Sequence, residues 1–197
     1  MFRLFLALFF RLFLALFAVI PALALAEPRL GDDGLHKQDW FHQSFLELNE
    51  DAAEAVAEGK FLLVLVEQAG CPYCRELHAV NFERPEIVEA MKTHYLTVQL
   101  DLWGSREITD IKGQPMEERA WAQANTVNFT PTTIIYGRNA QGELGELFRL
   151  PGYLKPFHYL SSLEYVATGE YQRQPFQRYL QDKFAEFKAK GIDPEVW

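Results

Sequence analysis

Hydrophobic and polar positions change their period several times along this chain, and each change marks an element. "KFLLVLVEQ" is apolar from Phe61 to Val66 without alternation, the pattern of a strand covered on both faces. "YLTVQLD" (95–101) sets Leu96, Val98 and Leu100 against Thr97 and Gln99, which predicts a strand with one apolar face. "NEDAAEAVAEG" (49–59) predicts a helix capped by Asn49, with Glu50 and Asp51 at its positive end and Gly59 as its stop. "CRELHAVNF" and "PEIVEAMKTHY" read as one helix broken near Pro85. Residues 103–114 form a polar excursion, and "PMEERAWAQAN" (115–125) reads as a helix opened by Pro115.

Further on, "TTIIYG" and "GELFRLPG" predict two strands joined by a glycine-containing turn, and "KPFHYLSSLEYVATG" a helix that stops at Gly169. Phe176, Tyr179, Leu180, Phe184 and Phe187 recur at helical spacing, so the last segment is expected to dock as an amphipathic helix. Strand, helix, strand, helix, strand, strand, helix is an α/β order with a short central sheet.

The first 26 residues stand apart. "MFRLFLALFFRLFLALFAVIPALALA" has Arg3 and Arg11 as its only charges and ends on Ala24-Leu25-Ala26, a small-x-small site. That is the layout of a secretory signal peptide; an uncleaved anchor is the rival, because Leu4 to Ile20 is interrupted only by Arg11. The organisation expected is therefore a signal peptide (1–26), an irregular aromatic lead-in (27–48), an α/β domain (49–170) and a C-terminal helix and tail (171–197). Losing the leader's two arginines takes the net charge from −8 to −10. An acidic surface of this kind argues against nucleic acid or anionic lipid as partners.

Only two cysteines occur, Cys71 and Cys74, in "EQAGCPYCRELH" (67–78). A disulfide between them would close so short a loop that it stabilises the fold by only about 2 kcal/mol, so a structural staple is a weak explanation. Zinc needs about four ligands; the five histidines supply no second pair at a recognisable spacing, and no metal is expected. Haem attachment needs a histidine directly after the second cysteine, where Arg75 stands.

Redox chemistry suits the pair better. Cys71 falls at a helix start, where unpaired N–H groups and the helix dipole favour a thiolate. Pro72 fits the first helical turn, and Cys74 lies one turn deeper. One open thiol to attack a disulfide and one shielded thiol to resolve the adduct is what exchange requires. His78, four residues past Cys74, reads as a helix-surface bystander more readily than as a proton carrier.

These residues resemble the thioredoxin superfamily: "LLVLVEQAGCPYCRELH" is similar to its buried strand and active-site helix, and "NFTPTTIIY" to the strand opened by a cis-proline. The resemblance spans about residues 49–170 and implies a thioredoxin fold, a central mixed sheet flanked by helices, here with an extra C-terminal helix. "GCPYCRELHAVNFERPEIVEAM", "VQLDLWGSREITD" and "VNFTPTTIIY" are similar to SoxW-type periplasmic thioredoxins, with Trp103-Gly104-Ser105-Arg106 as the more diagnostic feature.

By that resemblance Cys71 is the nucleophile, Cys74 the resolving thiol and Pro131 the cis-proline. Thr130 would offer its backbone to an extended client, with Pro72, Tyr73 and Gly152 completing the substrate surface. No cofactor beyond the Cys71–Cys74 pair is implied. The implied partners are protein disulfide clients and, as electron donor, a membrane thiol transporter of the CcdA or DsbD kind; the place is the periplasm and the state a monomer.

There are departures. The family's buried acid, six residues before the first cysteine, is Leu65 here, leaving Glu67 either as a substitute proton acceptor or as a wet cap on the strand end. Gly70 stands where a tryptophan is usual, and the glutathione-binding pattern that would accompany a glutaredoxin "CPYC" is not evident. An oxidase of the DsbA kind would carry an inserted helical domain, and an isomerase of the DsbC kind a dimerisation domain. The resemblance thus implies a reductase, with oxidase, isomerase or non-catalytic binding module as alternatives.

Overall fold

Four strands form the central sheet in the order β2-β1-β5-β6: β1 (Phe61–Glu67), β2 (Tyr95–Asp101), β5 (Thr132–Arg138) and β6 (Leu144–Pro151). This is a computed structural model, and it describes residues 28–194; the leader expected over 1–26 lies outside them. β1 runs parallel to β2 and antiparallel to β5, and β5 antiparallel to β6. A mixed sheet with the apolar β1 inside it explains why Leu62 to Val66 are all buried.

Helices cover both faces. On one side, Leu62, Val64, Val66, Val98 and Ile134 pack against Ala52 and Ala55 of α1 (Leu48–Ala57) and Trp121 of α4 (Glu118–Ala124). On the other, Leu63, Leu65 and Ile135 meet Leu77, Ile87, Met91 and Leu163. These come from α2 (Pro72–Glu76) with its π-turn extension (Leu77–Asn81), α3 (Pro85–His94) and α5 (Pro156–Ala167). The break before α3 falls at Phe82–Arg84, as Pro85 dictates. α6 (Phe176–Ala189) docks on α5 through edge and tilted contacts of Tyr165 with Phe176 and Tyr179 and of Phe157 with Phe187.

Two local expectations need correction. Asn49 does not cap α1: the Glu47 carbonyl accepts the N–H groups of Glu50 and Asp51 at 2.9 Å, so the helix begins at Leu48. Pro115 does not open a helix. Pro115–Glu117 is β4, paired with β3 (Glu107–Thr109) inside the stretch read as a polar excursion, and α4 starts at Glu118. The polar face of β2 is covered. The lead-in lies along that edge, with His42 N–H donating to the Thr97 carbonyl at 2.9 Å and Gln99 Nε2 to the His36 carbonyl at 2.7 Å. Covering an edge strand this way also removes a template for aggregation.

Glu118 sets the shape of the 101–106 turn. Its buried carboxylate accepts from Asp101 N at 2.9 Å, Arg106 Nε at 3.0 Å and Arg106 Nη2 at 2.5 Å. Glu118→Ala strands these donors, and because the Arg106 side chain is half exposed, urea unfolding is expected to show a loss of about 1–3 kcal/mol; no measurable loss would contradict the arrangement.

Candidate functional site

The site lies where β1 ends and α2 begins. Gly70, at φ +71°, turns the chain in a conformation that other residues rarely adopt. Cys71 is then the cap of α2: its Sγ accepts the Cys74 N–H at 3.0 Å. Pro72 occupies the first helical position, where no N–H is needed. Cys71 and Cys74 are joined by a disulfide, with Cα atoms 5.2 Å apart.

Facing them is the loop that opens β5. The Thr130–Pro131 peptide is cis. Thr130 Oγ1 donates to Cys71 Sγ at 3.4 Å, and the Thr130 carbonyl lies 3.5 Å from the same sulfur. Gly152, just past β6, donates its N–H to the Pro131 carbonyl at 2.8 Å and so ties the end of that strand to the loop. Tyr73 is 62 % exposed and stacks on Tyr153 with centroids 6.3 Å apart. The structure thus brings Cys71, Cys74, Thr130, Pro131, Pro72, Tyr73 and Gly152 to one end of the sheet. The two cysteines differ less in openness than expected: Cys71 keeps 5 % of its exposure and Cys74 1 %, because Thr130 leans on the first sulfur.

Between β1 and the π-turn that follows α2 is a buried polar group that sequence reading anticipated only in part. Glu67 is fully buried, not a wet strand end. His78 is fully buried too, which corrects its reading as a helix-surface residue; the π-turn that carries it sits against the sheet. Its Nε2 lies 3.1 Å from Glu67 Oε2 and its Nδ1 3.2 Å from Gln38 Nε2. An amide nitrogen can only donate, so Nδ1 accepts and the Nε2–H points at the carboxylate. Gln99 Nε2 donates to the same Glu67 oxygen, while Glu67 Oε1 is buried without a hydrogen-bond partner.

The lead-in supplies the rest. Lys37 Nζ donates to Gln99 Oε1 at 2.8 Å, and the His36 ring stands 5.5 Å from that of His78. Burial, helped by the nearby His78, holds His36 below the usual imidazole value. Gln38, His36 and Lys37 were not foreseen, since an aperiodic segment gives no signal of what it packs against. No group of three or more His, Cys, Asp or Glu able to hold a metal occurs among the described residues.

Comparison with known proteins agrees with this fold. The thioredoxin-like domain family model matches residues 48–167. No curated protein matches the chain. Among solved structures, a thioredoxin-fold protein from Helicobacter pylori is 23 % identical, with a TM-score of 0.52 over 64 % of this chain and 86 % of its own. A thioredoxin from Thermus thermophilus is 22 % identical, with a TM-score of 0.47 over 61 % and 83 %. The oxidised C-terminal domain of DsbD from Neisseria meningitidis is 19 % identical, with a TM-score of 0.40 over 58 % and 86 %. A thioredoxin fold with a CxxC disulfide at the start of its active-site helix has the makings of a thiol:disulfide oxidoreductase, and by the extent of the family match this chain belongs to the thioredoxin-like domain family.

Proposed function

We propose that this chain is an exported reductase of protein disulfides, working through the Cys71/Cys74 dithiol. The observation that carries the reading is the seat of Cys71: the cap of α2, with the Cys74 N–H on its sulfur and the Thr130 backbone beside it. N–H groups pointing at a sulfur stabilise negative charge there, and the Thr130 backbone can pair with an extended client.

In the reaction, the Cys71 thiolate attacks one sulfur of a client disulfide. The client S–S bond breaks, and its second sulfur leaves as a thiolate that takes up a proton. Cys74 then gives up its proton, attacks Cys71 Sγ and expels the first client sulfur. Two electrons have passed from the dithiol to the client, and the Cys71–Cys74 disulfide remains. Glu67 and His78 are the buried proton-handling pair behind Cys74 in this scheme, and Pro131, Thr130, Pro72, Tyr73 and Gly152 make up the surface the client meets.

The oxidised product needs a dithiol donor, for which a membrane thiol transporter of the CcdA or DsbD kind fits an exported protein. The leader-like residues 1–26 support export to the periplasm, and the Trp103–Arg106 turn supports a SoxW-like role in sulfur-compound oxidation, with the chain working as a monomer. No helix among the described residues is long and apolar enough to cross a membrane. Insulin reduction with dithiothreitol as donor tests the proposal: the chain is expected to accelerate precipitation of the insulin B chain, and a rate equal to that of dithiothreitol alone leaves a binding module instead.

A further inference from the structure

The lead-in closes into a hairpin before it meets the sheet. Gly31 N–H donates to the Leu35 carbonyl and Lys37 N–H to the Arg29 carbonyl, both at 2.8 Å, and Leu30 pairs with His36 across the turn. Leu35 is buried beneath it. At Gly34, where φ is +76°, a Cβ would stand 3.0 Å from the Ala69 Cβ, so the tip of the hairpin rests on the turn that carries Cys71.

Three polar side chains in succession then reach the group around Glu67. Gln38 gives His78 Nδ1 its donor, Lys37 Nζ donates to Gln99 Oε1, and the His36 ring stands beside that of His78. Lys37 also meets Asp33 at 2.6 Å, so its charge is answered within the lead-in and what it gives Gln99 is direction. An amide whose oxygen is held by Lys37 turns its nitrogen to Glu67, and Gln99 Nε2 donates to Oε2. His78 is steered in the same way. With Nδ1 occupied as an acceptor, the ring proton sits on Nε2 and points at the same oxygen. Phe41 and Phe82 stand edge-on to the ring, with centroids at 5.8 and 4.9 Å, and hold its plane.

Two donors therefore share Oε2, while Oε1 is buried with none. A buried acceptor without a donor is costly to keep. It is also the one place on Glu67 left to receive a proton.

We propose that Gln38 and Lys37 are positioning residues for the resolving step: acting through His78 and Gln99, they hold both donors on Glu67 Oε2 and leave Oε1 to take the Cys74 proton. The inference rests on the reading of the chain as a reductase in which Glu67 receives that proton. The Cys74 S–H bond breaks and its proton goes to Oε1, and the thiolate left behind bonds to Cys71 Sγ. The bond from Cys71 to the client breaks with its electron pair on the client sulfur, which takes the proton from Glu67. His78 keeps its own proton throughout, as a donor and not a carrier. The other titratable groups around the pair are His36 from the lead-in, Tyr159 from α5 and, acting on His36, Arg75 from α2. All three stay as they are in the test.

Gln38→Glu keeps the size of the side chain and puts an acceptor where Nδ1 has its donor. In long-range proton–nitrogen spectra of the reduced chain, wild-type His78 is expected to carry a proton on Nε2 alone, and the His78 of Gln38→Glu on both nitrogens. A cationic ring against Oε2 favours the ionised carboxylate and makes Glu67 a weaker base. The reduced chain is mixed with a symmetric peptide disulfide and quenched in acid at intervals. At neutral pH the Cys71 adduct of Gln38→Glu is expected to decay about tenfold more slowly than that of wild type, and its fall-off on the acid side to move to lower pH. Lys37→Met, which leaves the His78 ring alone, is the second arm should Gln38→Glu fail to fold; releasing Gln99 is expected to slow decay about threefold. A wild-type ring protonated on Nδ1 overturns the proposal while the reductase reading stands. So does a variant that loses stability in urea yet resolves its adduct at the wild-type rate. If wild type neither forms the adduct nor reduces insulin, the reductase reading itself fails.

Discussion

Cys71→Ser is expected to bring insulin reduction down to the rate of dithiothreitol alone, and Cys74→Ser to accumulate a mixed disulfide between Cys71 and its client. A serine hydroxyl does not ionise to a useful nucleophile at neutral pH, so the N–H groups that favour a thiolate at position 71 have nothing to stabilise. Cys74 cannot take over, because it lies inside the first turn of α2 with 1 % exposure. Either variant also loses the Cys71–Cys74 disulfide, worth about 2 kcal/mol for so short a loop. That is small beside the stability of a domain with two apolar layers, so the variants stay folded and the loss reads as chemistry. Non-reducing gels and intact mass of Cys74→Ser recovered from cells that express it are expected to show the adduct. A Cys74→Ser chain that traps nothing, with activity intact, contradicts the assignment of roles.

The second large effect belongs to Glu67. Glu67→Ala leaves the His78 Nε2–H and a Gln99 N–H without their acceptor in a buried site, and an unpaired buried donor costs about 1–3 kcal/mol in urea unfolding. Glu67→Gln keeps the shape and separates folding from chemistry. In the proposed scheme Glu67 takes the proton that Cys74 releases before it resolves the adduct, and a neutral amide cannot do so. Rapid-quench analysis of the Glu67→Gln variant is expected to show the mixed disulfide decaying about 10²-fold more slowly than in wild type. Decay at the wild-type rate would leave Glu67 a structural residue only.

Much of this protein is legible before folding, for reasons that can be stated residue by residue. The unbroken apolar run at 61–66 announces a strand inside a sheet, and Pro85 and Gly169 punctuate helices where they fall. Cys71-Pro72-Tyr73-Cys74 carries its chemistry in its spacing. What stayed hidden depends on contacts distant in sequence. His78 looks like a surface residue until the π-turn and β1 bring it to Glu67, eleven positions away. The alternation in β2 correctly separates two faces, yet nothing local says that residues 36–42 will cover the polar one. Pro115 is an ordinary helix opener by type, and its use as a strand start follows from pairing with Thr109.

The central claim is that the cap position of α2 makes Cys71 the working thiol. Reducing the chain fully and treating it briefly with limiting iodoacetamide at pH 6.5, well below the free-cysteine value of about 8.5, puts the two sulfurs in direct competition. Peptide mass mapping is expected to find the label on Cys71 with Cys74 nearly untouched. Label on Cys74 first, or both cysteines reacting only as slowly as free cysteine at that pH, contradicts the account.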